Sequence, residues 1–383
     1  MNLEKILSQL VAIPSIFPQE RKIGEWIEGF LLANDWRVRR QLVSKNRFNL
    51  LAEKGRGLSS LAFYGHLDTV PVYGRWKTDP FKLTFKNDRF YGLGSADMKA
   101  GLAVLLWNSL RVKKTDPKIK LLFGVDEENI SLGAHCLTKK YKKYLTDVAA
   151  VFVPEPGMSK NISGGANVLT LGRRGRVVYK IKVYGKSVHG ADPQKGVNAI
   201  SQACQIVWGI EKMKLVTHKR LGQSSIFVRL IYGETKSLSL PQEAVIEVDK
   251  HLVVPETETS VLKDLRLMIK RLYQQGKLDF RADKKVEIRV KKRTTSYLHP
   301  YITDRRLKVV KETEEIIKEY LGKVKINYGL SVADENVLAK VLKKPVITLG
   351  PQGGNEHSAN EWVLKKSLSE LGKIYQAIFK KSF

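Results

Sequence analysis

Several short apolar runs of this chain end at a side chain of a type that binds metal ions, and this pattern constrains its fold most strongly. Four runs have the composition of β-strands, at residues 61–64, 90–93, 121–125 and 148–153. Open α/β sheets place their ligand sites at the carboxyl ends of strands. The side chains at or just after the ends of apolar runs are His66, Asp97, Glu128, Glu155 and His357, with a further carboxylate at Glu127. The pattern therefore predicts an α/β hydrolase with a site for two metal ions.

Length and charge limit the architecture and the partners. One hydrophobic core stops growing at about 250 to 300 residues, and the chain has 383, which predicts two domains. The 67 Lys and Arg residues exceed the 38 Asp and Glu residues and give a net charge of +29. Because the basic residues are scattered and no zinc-finger or RNA-binding signature accompanies them, we expect a solvated surface and no nucleic-acid partner. An electrostatic role towards an acidic small molecule or carrier stays open.

Cysteine content and hydropathy predict a cytoplasmic protein. Cys136 and Cys204 lie far apart and form neither a disulfide framework nor a thiolate zinc motif. The first residues have the spacing of an amphipathic helix rather than of a signal peptide. No apolar stretch approaches the roughly 18 residues of a membrane span, so no membrane partner is expected.

The order of elements predicts an inserted domain. Helix and strand patterns alternate up to about Gly172, as in α/β proteins. A series of strand, helix, strand, strand, helix, strand follows, at 177–184, 197–213, 226–232, 244–254, 258–275 and 286–290. This series suits a small α+β domain with one four-stranded sheet and two helices on one face. The first pattern then returns with a helix at 307–321 and a strand at 345–349. The prediction is a catalytic domain over 1–174 and 293–383, interrupted by an inserted domain over 175–292.

Three of the candidate ligand segments have local patterns that also allow simpler roles. His66 precedes Asp68 by two residues, close enough for Asp68 to accept the proton of the second ring nitrogen; alone, such a pair also suits a structural or surface role. Asp97 lies in a Gly-rich turn that opens a helix, where helix capping is the alternative. Residues 126–128 are three adjacent carboxylates, which repel one another unless a cation or protons intervene. Solvated loop acids are the alternative there.

The remaining candidates lie in turns and loops. Glu155 stands between two prolines, His357 in the Gly-rich segment 350–361, and His189 in the inserted domain. Each also suits an ordinary turn or loop residue. Gly353 and Gly354 let the backbone approach a ligand closely. Together the nitrogen and oxygen donors suit zinc, cobalt or manganese, and two ions about 3.5 to 4 Å apart need a bridging carboxylate.

These motifs resemble those of a known family over nearly the whole chain. The matching segments are 13–15, 65–71, 94–101, 126–128, 154–156 and 187–190. They are similar to the dimetal amidohydrolases and peptidases that include acetylornithine deacetylase, succinyl-diaminopimelate desuccinylase, bacterial glutamate carboxypeptidase and aminoacylase. The resemblance implies a three-layer α/β, zinc-peptidase-like catalytic domain. It also implies that the insertion is a ferredoxin-like lid and that the protein forms a homodimer through it.

The resemblance also implies a role for each candidate. Two divalent ions would be bound, Zn²⁺ with Co²⁺ or Mn²⁺ as alternatives. Asp97 would bridge them, with His66 and Glu155 at one ion and Glu128 and His357 at the other. Glu127 would be the general base. Asp68 would orient His66, and His189 would reach across from the partner subunit to stabilise the oxyanion.

The substrate is less constrained. Where the family anchors the substrate carboxylate with Asn and Arg, this chain has Leu238 and His251. Arg173, Arg174 and Arg176 could bind an anionic group instead, with ion pairing as the alternative. Further candidate substrate contacts are His251, Gly353 and Gly354. The resemblance implies hydrolysis of an N-acyl amino acid of the acetylornithine or succinyl-diaminopimelate kind. The alternatives are a carboxypeptidase or dipeptidase and, in another class, a non-catalytic metal-dependent binding protein.

Overall fold

The computed structural model describes residues 1–159 and 162–382, which form two compact units. The first unit comprises Met1–Arg173 and Tyr301–Phe383, and the second comprises Arg174–Pro300. The helices of the described residues are α1 (Leu3–Ala12), α2 (Arg21–Leu32), α3 (Ala100–Ser109), α4 (Leu132–Lys140), α5 (Ala199–Glu211), α6 (Glu258–Gln274), α7 (Lys308–Leu321), α8 (Asp334–Leu342) and α9 (Lys365–Phe379).

The strands fall into larger and smaller sheets. In chain order they are β1 (Arg37–Ser44), β2 (Arg47–Lys54), β3 (Arg56–His66), β4 (Thr84–Lys86), β5 (Arg89–Tyr91), β6 (Pro117–Gly124), β7 (Val148–Val153), β8 (Met158–Ser159), β9 (Ile162–Ser163), β10 (Val168–Arg173), β11 (Gly175–Tyr184), β12 (Thr217–His218), β13 (Gly222–Gln223), β14 (Ser225–Gly233), β15 (Glu243–Leu252), β16 (Glu287–Val290), β17 (Tyr301–Ile302), β18 (Lys325–Gly329), β19 (Val346–Thr348), β20 (Gly353–Gly354) and β21 (Trp362–Leu364).

The large sheet of the first unit brings several strand ends to one edge. Its order is β1-β2-β6-β3-β7-β19-β10-β17, and β18 also pairs with β10. The central strands β6, β3, β7 and β19 are mutually parallel. Their carboxyl ends therefore lie along the same edge, at Gly124, His66, Val153 and Thr348.

Helices cover both faces of this sheet, as the alternation of side chains in β3 shows. Phe63 packs against Phe152 and against Phe379 of α9, with ring centroids 5.5 and 4.3 Å apart. The next residue, Tyr64, points to the opposite face, where its hydroxyl bonds Asp334 of α8. Buried side chains on both faces explain why this strand is an unbroken apolar run. The expected three-layer α/β arrangement is confirmed.

The predicted strand at 90–93 has a different position from the one expected. Arg89–Tyr91 pairs with β4 and β21 in a separate four-stranded antiparallel sheet of order β20-β21-β5-β4. Asp97 therefore does not follow a strand of the large sheet, and the prediction was wrong on this point. The two apolar residues of so short a strand do not distinguish the two sheets in the sequence.

The second unit has the predicted element order, which is that of a ferredoxin-like fold. Its strands form an antiparallel sheet of order β14-β15-β11-β16. Helices α5 and α6 pack on one face, where Ile206, Ile210, Val261 and Leu265 join the apolar side chains of β11 and β15 in a common core. The fold-class prediction of an inserted α+β unit is confirmed by this topology.

The second unit extends further along the chain than the predicted boundary at 293. Tyr297 is buried in its core, and the backbone N–H of Arg176 donates to Leu298 O at 2.8 Å. These contacts hold 293–300 to the second unit, so that segment does not belong to the returning catalytic domain. Within residues 1–159 and 162–382, none of the helices has the length and hydropathy needed to cross a membrane.

Candidate metal centre

His66 is the last residue of strand β3, and each of its ring nitrogens has a hydrogen-bond partner. Its side chain is only 2% exposed. Nδ1 lies 3.0 Å from the backbone carbonyl of Asp68, and Nε2 lies 3.1 Å from Asp97 Oδ1. Burial opposes the imidazolium, but the hydrogen bond to Asp97 and the charges of nearby carboxylates raise the pKa of His66 well above its ordinary value.

Asp68 contacts His66 through its main chain, whereas the sequence predicted a contact through its carboxylate. The nearer partner of His66 Nδ1 is the main-chain oxygen of Asp68, because the carboxylate Oδ1 is 3.8 Å away. Asp68 Oδ2 instead accepts the backbone N–H of Glu128 at 2.9 Å. Burial raises the pKa of Asp68 to about 7. Asp68 thereby links the segment after β3 to the segment after β6.

Asp97 lies between the two histidines. Its Oδ1 faces His66, and its Oδ2 is 3.4 Å from His357 Nε2. Burial disfavours its charged form, but the hydrogen bonds from His357 and His66 lower the pKa of Asp97. Its position is that of a carboxylate able to bridge two cations.

Glu127 and Glu128 follow β6 and complete two groups of donor atoms. His66, Glu127 and Glu128 form one group and Asp97, Glu128 and His357 the other, with the ligand atoms of each group within 4.8 Å of one another. Within the described residues, the buried Oε1 of Glu128 has no hydrogen-bond partner. Burial, with the neighbouring carboxylates, raises the pKa of Glu127 well above its ordinary value.

Glu155 is paired with an arginine rather than with the donor groups. Its Oε1 accepts from Arg173 Nη2 at 2.9 Å, and the same guanidinium is 2.9 Å from Glu335 Oε1. Burial raises the pKa of Glu155 to about 8, although the charge of Arg173 opposes this shift. Among the residues the structure describes, neither donor group includes Glu155. Arg173 is buried between two carboxylates, which favours its ion-pair role over substrate binding.

Gly353 and Gly354 form the short strand β20 after β19, and His357 lies in the loop that follows it. His357 is half exposed, and its Nε2 is 3.1 Å from Glu128 Oε2. Hydrogen bonds to Asp97 and Glu128 raise the pKa of His357 to about 11. Gly353 and Gly354 are closely packed, because an added Cβ would lie 2.5 Å from the Cβ of Ala96 and 2.7 Å from the ring of Trp362 respectively. Packing alone therefore requires glycine at both positions.

Glu361 is a residue that sequence reasoning missed. Its carboxylate accepts the backbone N–H groups of Gly94, Ala96 and Asp97 at 2.6, 2.8 and 2.9 Å. Burial raises the pKa of Glu361 to about 8. The turn that carries Asp97 is thus fixed by a side chain more than 260 positions later in the chain. In the sequence it lies only at the end of the Gly-rich segment 350–361, which carries no specific signal for this role.

Four candidates lie in the second unit. His189 is exposed, and its Nδ1 accepts the N–H of Ala191 at 3.2 Å. Arg174 donates through Nε to Leu221 O at 3.0 Å, and Arg176 forms paired hydrogen bonds with Asp249. Burial lowers the pKa of His251, which therefore favours the neutral ring. Arg176 is engaged in an ion pair, the simpler of its two predicted roles.

The donor atoms fit divalent cations. They are imidazole nitrogens and carboxylate oxygens, which suit zinc, cobalt and manganese. Asp97, Glu127 and Glu128 lie close together in a region with little water, where negative charges repel unless a cation or protons neutralise them. The unpartnered Oε1 of Glu128 is a further donor to such an ion.

The chain belongs to the peptidase family M20/M25/M40, whose model matches residues 62–381. It is 39% identical to the acetylornithine deacetylase of Pasteurella multocida (strain Pm70) over 160 residues, which are 41% of this chain and 39% of that protein. The match thus spans less than half the length of that curated relative.

Solved structures share the fold over nearly the whole chain. A tripeptidase from Staphylococcus aureus has a TM-score of 0.79 at 21% identity, covering 99% of this chain and 97% of its own. A dinuclear metal binding peptidase of the M20 family from Bacillus subtilis has a TM-score of 0.73 at 16% identity, covering 98% of this chain and 96% of its own. The family resemblance inferred from the motifs is confirmed.

Proposed function

We propose that this protein is a metal-dependent hydrolase that cleaves an amide bond. The observation that carries the proposal is the position of Asp97 between His66 and His357, with the carboxylates of Glu127 and Glu128 beside them. Membership of the M20/M25/M40 family supports the same reaction class.

The residues proposed to hold the cations are His66, Asp97, Glu128, Glu155 and His357. Glu155 is included because its carboxylate is buried near Asp97 and His66, although Arg173 holds it in the present arrangement. Bound divalent ions lower the pKa of a water molecule and polarise a carbonyl oxygen. We propose Zn²⁺, with Co²⁺ and Mn²⁺ as alternatives.

Glu127 is the proposed general base. It lies in a donor group with His66 and Glu128, and burial favours its protonated form, so it can both accept and return a proton. Its carboxylate accepts a proton from the attacking water and later delivers a proton to the leaving amine. The exposed His189 is proposed to stabilise the oxyanion in the site of a partner subunit, which makes the protein a homodimer. We also propose that the protein is cytoplasmic.

The proposed substrates are N-acyl amino acids of the acetylornithine or succinyl-diaminopimelate kind. The similarity to a protein named acetylornithine deacetylase favours this class. A peptide substrate is the second candidate, because the fold is shared with a tripeptidase and a dinuclear metal binding peptidase. Arg174, His251, Gly353 and Gly354 stay candidate substrate contacts.

The test is metal analysis together with hydrolysis of a substrate panel after loading with Zn²⁺ or Co²⁺. The panel contains N-acetyl and N-succinyl amino acids and dipeptides. We expect about two ions per chain and turnover of one class, which a chelator removes and added metal restores. Absence of bound metal would contradict the central proposal. Two ions without turnover of any class would favour a non-catalytic metal-dependent binding protein.

A further inference from the structure

The second unit contains a groove that the proposed hydrolysis does not use. Its volume is about 690 Å³, and it lies between α6 and the segment that leads into β16. Ile269, Tyr273, Phe280, Val286 and Ile288 supply its apolar surface. Phe280 is 71% exposed and packs against Tyr273 with ring centroids 4.7 Å apart. An exposed aromatic ring fixed in this way is a ready contact for another apolar group.

The rim of the groove is strongly cationic. Arg266, Lys270, Lys285 and Arg289 line it, and all four are exposed. None of them forms an ion pair with another residue of the part of the chain that the structure describes. Glu287 is the carboxylate among the lining residues, and it already accepts from the hydroxyl of Tyr184 at 3.1 Å. With four basic residues and one carboxylate, the rim therefore carries an excess of positive charge around an apolar floor.

Strand β16 adds an open backbone edge to the groove. It is the last strand of its sheet and pairs with β11 on one side. Because Lys291 donates its N–H to Val178 O of β11 at 2.8 Å, the alternation of a strand directs the backbone groups of Ile288 and Val290 away from β11. Such an edge can accept a further strand, and apolar pockets beside it then select alternate side chains.

We propose that this groove binds an extended acidic segment of another protein, with apolar side chains at alternate positions. The segment would pair with the open edge of β16, place an apolar side chain beside Phe280, and direct its carboxylates to the cationic rim. A segment with acidic side chains is favoured as the occupant, because four exposed basic residues line the groove. A nucleic acid has the required charge, but it offers no backbone partner to a strand edge.

The test measures binding of labelled synthetic peptides to the full chain by fluorescence anisotropy. The probe peptide alternates Glu with Val and Leu. Its comparison peptides replace Glu by Lys or methylate the backbone nitrogens that would pair with β16. A single-stranded oligonucleotide serves as a polyanion. We expect the acidic peptide to bind, and both altered peptides and the oligonucleotide to bind at least about tenfold more weakly.

Two variants locate the binding, and one controls for charge. Lys270→Glu combined with Lys285→Glu reverses part of the rim, and Phe280→Ala removes an exposed ring without opening the core. Each is expected to weaken binding of the acidic peptide about tenfold or more. Lys212→Glu combined with Lys214→Glu makes the same charge change at exposed positions elsewhere in the unit and should leave binding unchanged.

Three outcomes of these measurements would contradict the proposal. Equal binding of the acidic and basic peptides, absence of binding, or the same loss in the control and rim variants would each contradict it. Tighter binding of the oligonucleotide would assign the cationic rim to nucleic acid instead. Hydrolytic activity and melting temperature, measured on all variants, establish that each is folded.

Discussion

At the scale of single residues, buried charge dominates this molecule. Asp97, Glu127, Glu155 and Glu361 are carboxylates in surroundings with little water, where each charge needs a partner or a proton. Asp97 has two histidines, Glu155 has Arg173, and Glu361 has three backbone amides. Among the described residues, Glu127 has no such dedicated partner, which is consistent with a group that exchanges protons.

The proposed role of Glu127 predicts that Glu127→Gln keeps its metal and loses its activity. Glutamine has nearly the same shape but cannot accept the proton of the attacking water. We expect the rate of hydrolysis to fall by about 10²- to 10⁴-fold, measured at saturating substrate alongside metal content. Glu315→Gln, an exposed change on α7, is the matched control and should be unaffected. Full activity in the Glu127 variant would disprove its role as the base.

Glu361 is expected to act on the metal centre only through the turn that holds Asp97. Glu361→Ala leaves three backbone N–H groups without their acceptor, so Asp97 loses its fixed orientation. We expect metal affinity to fall by about 10- to 100-fold, measured by competition with a coloured chelator. Glu319→Ala, at an exposed position on α7, should bind metal normally. A drop in melting temperature with unchanged metal affinity would indicate a purely structural role.

At the scale of elements, parallel strands and their connections determine where the site residues lie. His66 ends β3, the segments after β6 and β7 carry Glu127 with Glu128 and Glu155, and these three strands are adjacent in the large sheet. Ion pairs at the opposite end of these strands contribute to their stability. Asp147 precedes β7, and its Oδ2 accepts from Lys118 of β6 at 3.1 Å, while its Oδ1 pairs with the nearly buried Lys120.

The ion pairs of Asp147 predict that wild type and an Asp147 variant differ in stability by an amount that depends on pH. Burial opposes its charge, but hydrogen bonds from Lys120 and Lys118 lower the pKa of Asp147 below 3.8. A carboxyl group whose pKa is lower in the folded than in the unfolded state stabilises the fold at pH values above its unfolded-state pKa. That stabilisation is lost as the pH falls through its folded-state pKa. Asp147→Asn should therefore lower the free energy of unfolding at pH 7 by about 1 kcal/mol, a modest value because water screens the partly exposed carboxylate.

Urea unfolding of the Asp147 variant and the wild type across pH measures this effect. The difference should be constant above about pH 5 and shrink as the pH falls below about 4. Asp264→Asn, at an exposed position on α6, should show no such trend. A constant difference at all pH values would exclude the charge as its cause.

At the scale of the whole molecule, the second unit presents an apolar edge that suits the proposed homodimer. Leu230, Ile231 and Tyr232 of the edge strand β14 are 43%, 48% and 55% exposed, and Trp208 of α5 is 63% exposed. An exposed apolar edge strand is a site where chains pair unless it is covered.

Ile231→Lys is therefore expected to convert the dimer into a monomer. A lysine at a closed apolar interface must leave water without a partner. Sedimentation should give the mass of one 43.4 kDa chain for the variant and of two for the wild type. Activity should fall with the dimer, because His189 would no longer reach a partner's site. Leu267→Lys makes the same change at a half-exposed leucine of α6 and should stay dimeric. A monomeric wild type would contradict the prediction.

Much of the architecture followed from local sequence patterns. The strand predicted at 148–153 and the helix predicted at 258–275 agree with β7 and α6 to within one residue, because apolar periodicity reports which face of an element is buried. The short strand at 90–93 was assigned to the wrong sheet, since its few residues fit either. Helices α8 and α9 were not assigned, although they cover the sheet on which the site lies.

The sequence by itself determined the order of the elements in the second unit, the family and the chemical type of the donor side chains, because these depend on residues that are neighbours in the chain. The tertiary structure alone decided which partner each buried charge has. Arg173 holds Glu155, the main chain rather than the carboxylate of Asp68 faces His66, and Glu361 fixes the turn of Asp97. Burying a polar group costs free energy unless it is hydrogen-bonded, so most buried polar groups have a partner. In a folded sheet, that partner comes from whichever element lies adjacent in space, at any distance along the chain.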